Sequence, residues 1–552
     1  MQKLRESKRS HAIEILTPCR FNQSMKIVIA EKISASAVDL LREPRWTVIA
    51  PDQMEGGLAA QLKSADALIV RSAVQVNAEL LAHARKLRVI GRAGVGVDNI
   101  DLEPATRQGI AIMNTPGANA VAVAEHTLAM MLALARHLCR ANELMHAGKW
   151  EKKSLQGTEL RGKTLGIVGL GKVGMEVARR ARAFGMEIIA HDPFVSTAVA
   201  KEQGIALAKL EEVYAASDYL TLHVGLNPQT TGMINANTLK KMKRGVRLVN
   251  CARGELVDES ALAHALKQGH VAGAALDVFV EEPLKNSPLT ALENVILTPH
   301  IGGSTHEAQE AVGYQIALQV KEYLKHGVIQ NAVNVPSVSH DEYLELQPYI
   351  VLAERLGSFL AQVSEGALEE ISLGYSGHIA EWKTELIRNG AIKGILNEAL
   401  EEKANLVNAA AIASSRGLHI HEERKPKGST GGAGLSIAVK AQGEEHVVKG
   451  AVLHKNDPRL LHVDGIEVEA PLERNLLYLR NRDVPGVIGK VGTILGNHKI
   501  NIADFSLGRR VGNAKPREAI AVVHVDGVVP EPVLAELRKV SAIEQAKAIR
   551  LF

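Results

Sequence analysis

The chain has 552 residues, room for roughly three or four domains of ordinary size. Its 65 Lys and Arg against 61 Asp and Glu leave a formal net charge of +4, near neutrality for this length, which excludes a strongly basic nucleic-acid protein and an acidic disordered chain. A hydrophobic content of 46% with 23% charge is globular composition, and three Trp, eight Tyr and seven Phe are too few for stacking platforms that hold single-stranded nucleic acid.

Residues 1–24 are polar and of mixed charge. They lack the continuous apolar core of a secretory signal and carry Glu6 and Glu14, which a transit peptide avoids, so a disordered extension, or an upstream start codon, is expected there. From Met25 to about Gly117, short apolar runs (Lys26–Ala30, Ala67–Arg71, Val89–Gly91, Ile110–Met113) alternate with helical segments such as Ser36–Leu41. That is the βαβα pattern of a parallel sheet covered by helices. The apolar stretch Ala118–Ala135 is interrupted by Glu125 and His126, which predicts a buried helix and no membrane span; the helical pattern runs on to about Gly148.

A second βα series follows, with strands Thr164–Val168, Glu187–His191, Tyr219–His223, Arg247–Asn250, Gly273–Asp277 and Val295–Leu297. Helices such as Met175–Phe184 and Glu259–Gln268 separate them, as in a doubly wound domain. Thr305–Lys325 predicts a helix returning to the first domain, and 331–336 reads as a linker held extended before Pro336. Residues 337–470 read as a mixed region whose Gly-rich loop, Lys427–Gly434, lacks the Lys-Ser/Thr ending of a P-loop. After Pro471 come strand Leu476–Arg480, helix Val487–Leu495, strands Ile500–Leu507 and Ala519–Val525, helix Glu531–Val540 and strand Ala546–Leu551, the ferredoxin-like βαββαβ order. The three cysteines, Cys19, Cys139 and Cys251, are scattered, which excludes a disulfide framework and favours a reducing, cytoplasmic compartment.

Gly169, Gly171 and Gly174 form G-x-G-x-x-G between a strand and a helix. Such glycines permit a tight turn and close approach of backbone to a pyrophosphate, which then sits on the helix N-terminus. Glycine clusters usually mark ordinary turns, but here Asp192 ends the next strand, where its carboxylate can take ribose hydroxyls and repel a 2′-phosphate. NAD is therefore the expected cofactor. Three further polar residues follow strands of the same domain: Arg253, Glu282 and His300. Strand C-termini are where open α/β sheets bind ligands. Oxidising an alcohol needs a base for its proton, a carboxylate beside a histidine fixes its tautomer, and an arginine fork suits a substrate carboxylate. Singly, each has a bland explanation as a surface or turn residue; together they point to a dehydrogenase.

The stretches Gly91–Asp101, Asn114–Gly117, the glycine fingerprint, Asn250–Gly254, Ala275–Phe279 and Pro299-His300 resemble the D-isomer-specific 2-hydroxyacid dehydrogenases. Within the family the chain resembles the long forms with an intervening domain and a C-terminal ACT domain. The resemblance implies an α/β protein with two doubly wound parallel-sheet domains: substrate binding over 25–122 and 308–335, and nucleotide binding over 123–307. An α+β intervening domain over 336–470 and a ferredoxin-like ACT domain over 471–552 would follow. It also implies oxidation of 3-phospho-D-glycerate with NAD, the entry to serine synthesis, with Arg253 on the carboxylate, His300 as acid/base and Glu282 as its partner.

Cofactor contacts would fall on Gly169, Gly171, Lys172, Val173, Gly174, Asp192, Cys251, Ala252, Arg253, Asp277, His300, Gly302 and Gly303; substrate contacts on Arg71, Ser72, Gly94 and Val95. Arg71 has a structural ion pair as its alternative, and Lys152 and Lys153 are either a solvated charge run or further cations reaching a neighbouring subunit. Val74 and the turn His223-Val-Gly-Leu226 depart from the family pattern. Arg482–Gly492 and Ile500–Ala503 resemble an ACT ligand signature, placing Asp483, Gly486 and, from a facing subunit, Asn501 on an amino-acid effector, most plausibly L-serine. The alternative is a plain dimerisation module. A homo-oligomer, dimer or tetramer, is expected, with no nucleic acid or membrane partner. The chain lacks the spacings of a zinc enzyme. Competing readings are another D-2-hydroxyacid dehydrogenase, of glyoxylate or lactate type, and an NAD-sensing co-repressor-like protein.

Overall fold

Each apolar run of the first series is followed by a helix that brings the chain back over the same sheet, so the strands pair in parallel. In the computed structural model, which describes residues 24–400, 404–425, 434–454, 456–511 and 517–551, they lie in the order Trp46–Ile49, Met25–Ile29, Ala67–Val70, Val89–Arg92, Ala111–Met113. The extension expected over 1–24, Ser24 apart, and the Gly-rich loop before Gly434 lie outside the described residues. Trp46–Ile49 escapes the sequence reading because it is an edge strand of four partly exposed residues, without the apolar run of the central strands. The helix His306–His326 returns to this sheet as expected: a Cβ on Gly91 would lie 2.8 Å from Ile316 and from Val320, so the glycine lets the helix close on the strand.

The second sheet has seven strands, in the order Val295–Leu297, Val271–Leu276, Val246–Asn250, Tyr219–Leu222, Thr164–Val168, Glu187–His191, Ala206–Leu207. The two-residue edge strand Ala206–Leu207 is too short to leave a periodic signal. The strand order reverses beside Thr164–Val168, and the crevice at that reversal is where such sheets take a nucleotide. The long helix expected over about 120–148 is two, Ala120–Arg136 and Leu138–His146, separated by His137 at φ 51°. A left-handed residue ends a helix whatever the apolar period around it.

Beyond the first sheet, Asn334 is no free linker residue. Its amide donates to Ile110 O and Thr106 Oγ1 (both 2.9 Å) and its Oδ1 accepts from Ile112 N at 2.9 Å. Ser339 then opens the helix His340–Val363 through a capping box, its hydroxyl accepting from Glu342 N while Glu342 accepts from Ser339 N. This helix and Glu385–Ala399 cover a mixed six-stranded sheet, in which His419–Lys425 runs parallel to Leu368–Ser376 and the other pairs are antiparallel. The last sheet is antiparallel, in the order Ile502–Arg509, Glu518–Val525, Asn475–Arg482, Ile543–Arg550, with helices Val487–Asn497 and Glu531–Arg538 as expected for βαββαβ. Among the described residues no helix is long and apolar enough to cross a membrane.

Candidate active site

The fingerprint turn joins strand Thr164–Val168 to helix Lys172–Ala183. Its glycines differ in what they do. Gly169 sits at φ 96°, and a Cβ there would be 2.5 Å from His223 O; a Cβ on Gly174 would be 2.1 Å from Gly169 O. Gly171 has nothing within 4 Å of its Cβ position, so open space lies in front of the helix N-terminus that Lys172 and Val173 begin. Asp192 faces the same turn, its Oδ2 accepting from Leu170 N at 2.7 Å and its Oδ1 from Phe194 N at 2.8 Å. This cradle, backbone amides at a helix start beside a carboxylate, fits a dinucleotide's pyrophosphate and ribose. Cys251 and Ala252 follow strand Val246–Asn250. Burial pushes the Cys251 thiol up to about 12, so it stays protonated, packed 3.6 Å from Met130 Sδ. His223, in the departing turn, is driven down to about 4 by burial and is neutral beside Thr221, 3.0 Å away.

At the C-terminal end of the same sheet, His300 Nδ1 lies 2.7 Å from Glu282 Oε2. The hydrogen bond to Glu282 raises the His300 pKa above its ordinary value against the opposing effect of burial. Burial draws the Glu282 carboxyl upward, but hydrogen bonds from His300 and the Phe279 amide outweigh it and hold the group low. His300 has φ 52°, a conformation L-residues rarely adopt. Asp277, 1% exposed, holds it there: its Oδ1 accepts from Thr298 Oγ1 (2.6 Å) and Ile301 N (2.9 Å), and its Oδ2 from Gly302 N (2.8 Å). His126 lies 3.3 Å from the same carboxylate, and Gly303 packs against Asn119. Arg253 joins this group because Gly254 has no Cβ; one would lie 2.0 Å from Phe279 C, in the segment leading to Glu282. Arg253 Nε donates to Asp98 Oδ2 at 3.0 Å, across from the first sheet.

The facing rim belongs to the first sheet. Arg71 and Ser72 lie on a loop gathered round Glu31, whose carboxylate accepts from Arg71 N (2.7 Å), Ala73 N (3.0 Å) and Val74 N (3.3 Å). Asn99 closes the loop by donating to Arg71 O and Val74 O. Gly94 and Val95 follow Arg92, and a Cβ on Gly94 would overlap Arg92 Nη1. Arg92 is half-buried; desolvation, then the Arg253 charge, pull its pKa down, and its Nε has no hydrogen-bond partner. In the sequence Arg92 stands out only as part of a motif, and nothing there gives Glu31, Asp98 or Asn99 a role. A lone cation ending an apolar strand was the available signal for Arg92; the others carried none. Gly117, at φ 86°, packs on the Lys172 stem, joining rim and fingerprint. Lys152 and Lys153 stand exposed in a short turn after Trp150.

In the last sheet, Asp483 and Gly486 line a cavity of about 320 Å³ with Asn481, Phe505 and Arg509. Asp483 Oδ2 is 3.2 Å from Arg509 Nε. Asn501 is outside this lining, its amide donating to Asp526 Oδ2 at 2.7 Å.

Three family descriptions match successive parts of the chain. The D-isomer specific 2-hydroxyacid dehydrogenase NAD-binding domain matches residues 128–302, the D-3-phosphoglycerate dehydrogenase intervening domain 345–464, and the ACT domain 476–542. The D-3-phosphoglycerate dehydrogenase of Methanocaldococcus jannaschii is 40% identical over 528 residues, 96% of this chain and 100% of its own. That of Bacillus subtilis is 38% identical over 95% of this chain and 99% of its own, and D-3-phosphoglycerate dehydrogenase 2, chloroplastic, of Arabidopsis thaliana is 41% identical over 95% and 87%. Among solved structures, a glyoxylate reductase from Paecilomyes thermophila matches with TM-score 0.52 and 33% identity over 56% of this chain and 98% of its own. An NAD-dependent formate dehydrogenase from Staphylococcus aureus, in complex with NAD, matches with TM-score 0.50 and 27% identity over 57% and 100%.

Proposed function

This chain belongs to the D-3-phosphoglycerate dehydrogenases, and from that premise we propose that it oxidises 3-phospho-D-glycerate to 3-phosphooxypyruvate with NAD⁺, the step that opens L-serine synthesis. The observation that carries the reading is the His300–Glu282 pair, set at the strand ends of the nucleotide sheet and facing a rim of arginines.

Bound at the fingerprint, NAD⁺ supplies the acceptor for hydride from C2 of the substrate. The chain's own residues manage the proton and the charges. Because His300 Nδ1 is engaged by Glu282, Nε2 is the nitrogen left to take the hydroxyl proton. The imidazolium that forms is stabilised by the Glu282 carboxylate, as in other His–carboxylate pairs. Arg253 holds the C1 carboxylate, with Val95 offering its backbone amide while the Gly94 amide donates to Arg92 O at 2.9 Å, and Arg71 and Arg92 receive the phosphate. Glu31 makes the Arg71 loop rigid by occupying its amides, so the phosphate is read by side chains.

The test is NADH formation with 3-phosphoglycerate against D-lactate and D-glycerate, for the wild type and Arg71→Ala. The variant should lose far more kcat/KM on the phosphorylated acid, because only that substrate offers a remote anion; equal losses on all three would remove Arg71 from phosphate recognition. A preference of the wild type for D-lactate or D-glycerate would put the chain among the other D-2-hydroxyacid dehydrogenases.

The ACT domain is read as the seat of an amino-acid effector, L-serine, in a dimeric or tetrameric cytoplasmic enzyme. Asp483 would receive the ammonium and the amides near Gly486 the carboxylate, so the effector must displace Arg509 from Asp483. Coupling of this kind is typically worth about 1–3 kcal/mol. L-Serine should inhibit the full-length enzyme, and Asp483→Ala should abolish that inhibition without changing uninhibited turnover. If serine fails to bind the wild type, the effector assignment falls and the dehydrogenase stands.

A further inference from the structure

We propose that Asp98 is a positioning residue for Arg253, holding the carboxylate anchor of one domain from the loop of the other. The inference rests on the dehydrogenase reading above, in which Arg253 meets the substrate carboxylate.

Arg253 follows strand Val246–Asn250 of the nucleotide sheet, whereas Asp98 follows strand Val89–Arg92 of the first sheet. A guanidinium presents five N–H donors in a rigid plane, so fixing two of its nitrogens fixes where the third points. Here Nε donates to Asp98 Oδ2 at 3.0 Å and Nη1 to Ala252 O at 2.7 Å. Nη2 is left to lie over Gly96, where a Cβ would come within 1.9 Å of it. The free edge of the fork is thereby laid against the Gly96 backbone, next to Gly94 and Val95, where the substrate carboxylate is expected. The Ala252 carbonyl alone would leave the plane free to turn about one bond; Asp98 supplies the second point.

Charge gives Asp98 a second reason to matter. Arg71 and Arg253 both act on Arg92 to lower its pKa, while Asp98 and Glu31 act to raise it, so the two carboxylates relieve repulsion among three cations. Without Asp98, repulsion from Arg92 would push the Arg253 guanidinium out of the cleft. A surface ion pair with no functional part is the competing account, since such pairs are worth about 0–1 kcal/mol and shift stability alone.

The experiment measures KM and kcat for 3-phosphoglycerate, NADH affinity by fluorescence, and Tm in Asp98→Ala, Asp98→Asn, Arg253→Lys and the double variant Asp98→Ala/Arg253→Lys. Asp98→Ala should raise KM by about tenfold or more, the scale of losing a hydrogen bond to a charged group, with NADH affinity within about twofold of wild type. Asp98→Asn, which keeps an oxygen for Nε but gives up the charge, should recover part of the loss. In the Arg253→Lys background, which has no fork to orient, Asp98→Ala should add little. An unchanged KM in Asp98→Ala, a failure of Asn to rescue, or additive losses in the double variant would each overturn the proposal. If the wild type ignores 3-phosphoglycerate but turns over another 2-hydroxy acid, the substrate reading fails, and the same series on that acid decides the role of Asp98.

Discussion

His300→Ala is expected to lower kcat by roughly 10²–10⁴-fold while still binding NADH, because it removes the group that takes the hydroxyl proton and leaves the fingerprint turn and Asp192 in place. The geometry makes the expectation specific. With Nδ1 bound to Glu282, the ring has one tautomer in which the other nitrogen is free to act as a base, and Asp277 fixes the loop that carries it. Glu282→Gln should behave differently, altering pH dependence more than binding. Glu282 raises the His300 pKa, and alcohol oxidation needs the neutral imidazole, so activity rises as pH climbs through that pKa. Removing the carboxylate charge lowers the pKa and moves the acid limb of the kcat profile to lower pH. In the reducing direction, which needs the imidazolium, the basic limb moves down by the same cause. Stopped-flow and steady-state profiles check both; near-full turnover in His300→Ala would remove it from the chemistry.

The second large effect concerns the fingerprint. Gly174→Ala should abolish measurable NADH binding and cost about 1–3 kcal/mol of stability, the usual penalty of an overpacked site, because the new methyl would sit 2.1 Å from the Gly169 carbonyl oxygen, a backbone atom that cannot turn aside. Gly171→Ala meets no protein atom within 4 Å and should fold with an unchanged Tm. Its loss should appear only as weaker NADH binding, since the methyl occupies the space in front of the helix N-terminus. Calorimetric melting and NADH fluorescence titration on the two variants separate the roles. Equal destabilisation of both would mean that Gly171 serves the turn and leaves the cofactor untouched.

These two glycines illustrate where sequence reading stops. G-x-G-x-x-G followed by Asp192 marks the nucleotide site because that spacing is set by local geometry: a strand, a turn and a helix within one unit. Pattern cannot say which glycine yields to a neighbouring segment and which to a ligand; the His223 carbonyl against Gly169 comes from the turn after a strand more than fifty residues away. Periodicity likewise marked the long central strands and missed Trp46–Ile49 and Ala206–Leu207, edge strands whose pairing depends on a neighbour being present. It ran one helix through His137, where a single left-handed residue breaks it.

The order of most elements, the fingerprint and the ferredoxin-like ending were written in the chain, because hydrophobic period, glycine spacing and residue type act over short distances. What tertiary structure alone decided is how groups with no sequence relation share charge. Glu31 gathers the amides of the Arg71 loop, forty residues on; Asp277 carries the His300 loop; Asp98 meets Arg253 across two sheets. A carboxylate looks the same in sequence whether it is solvated or set against three amides. Only the fold, by bringing distant donors within hydrogen-bond reach, gives it a task.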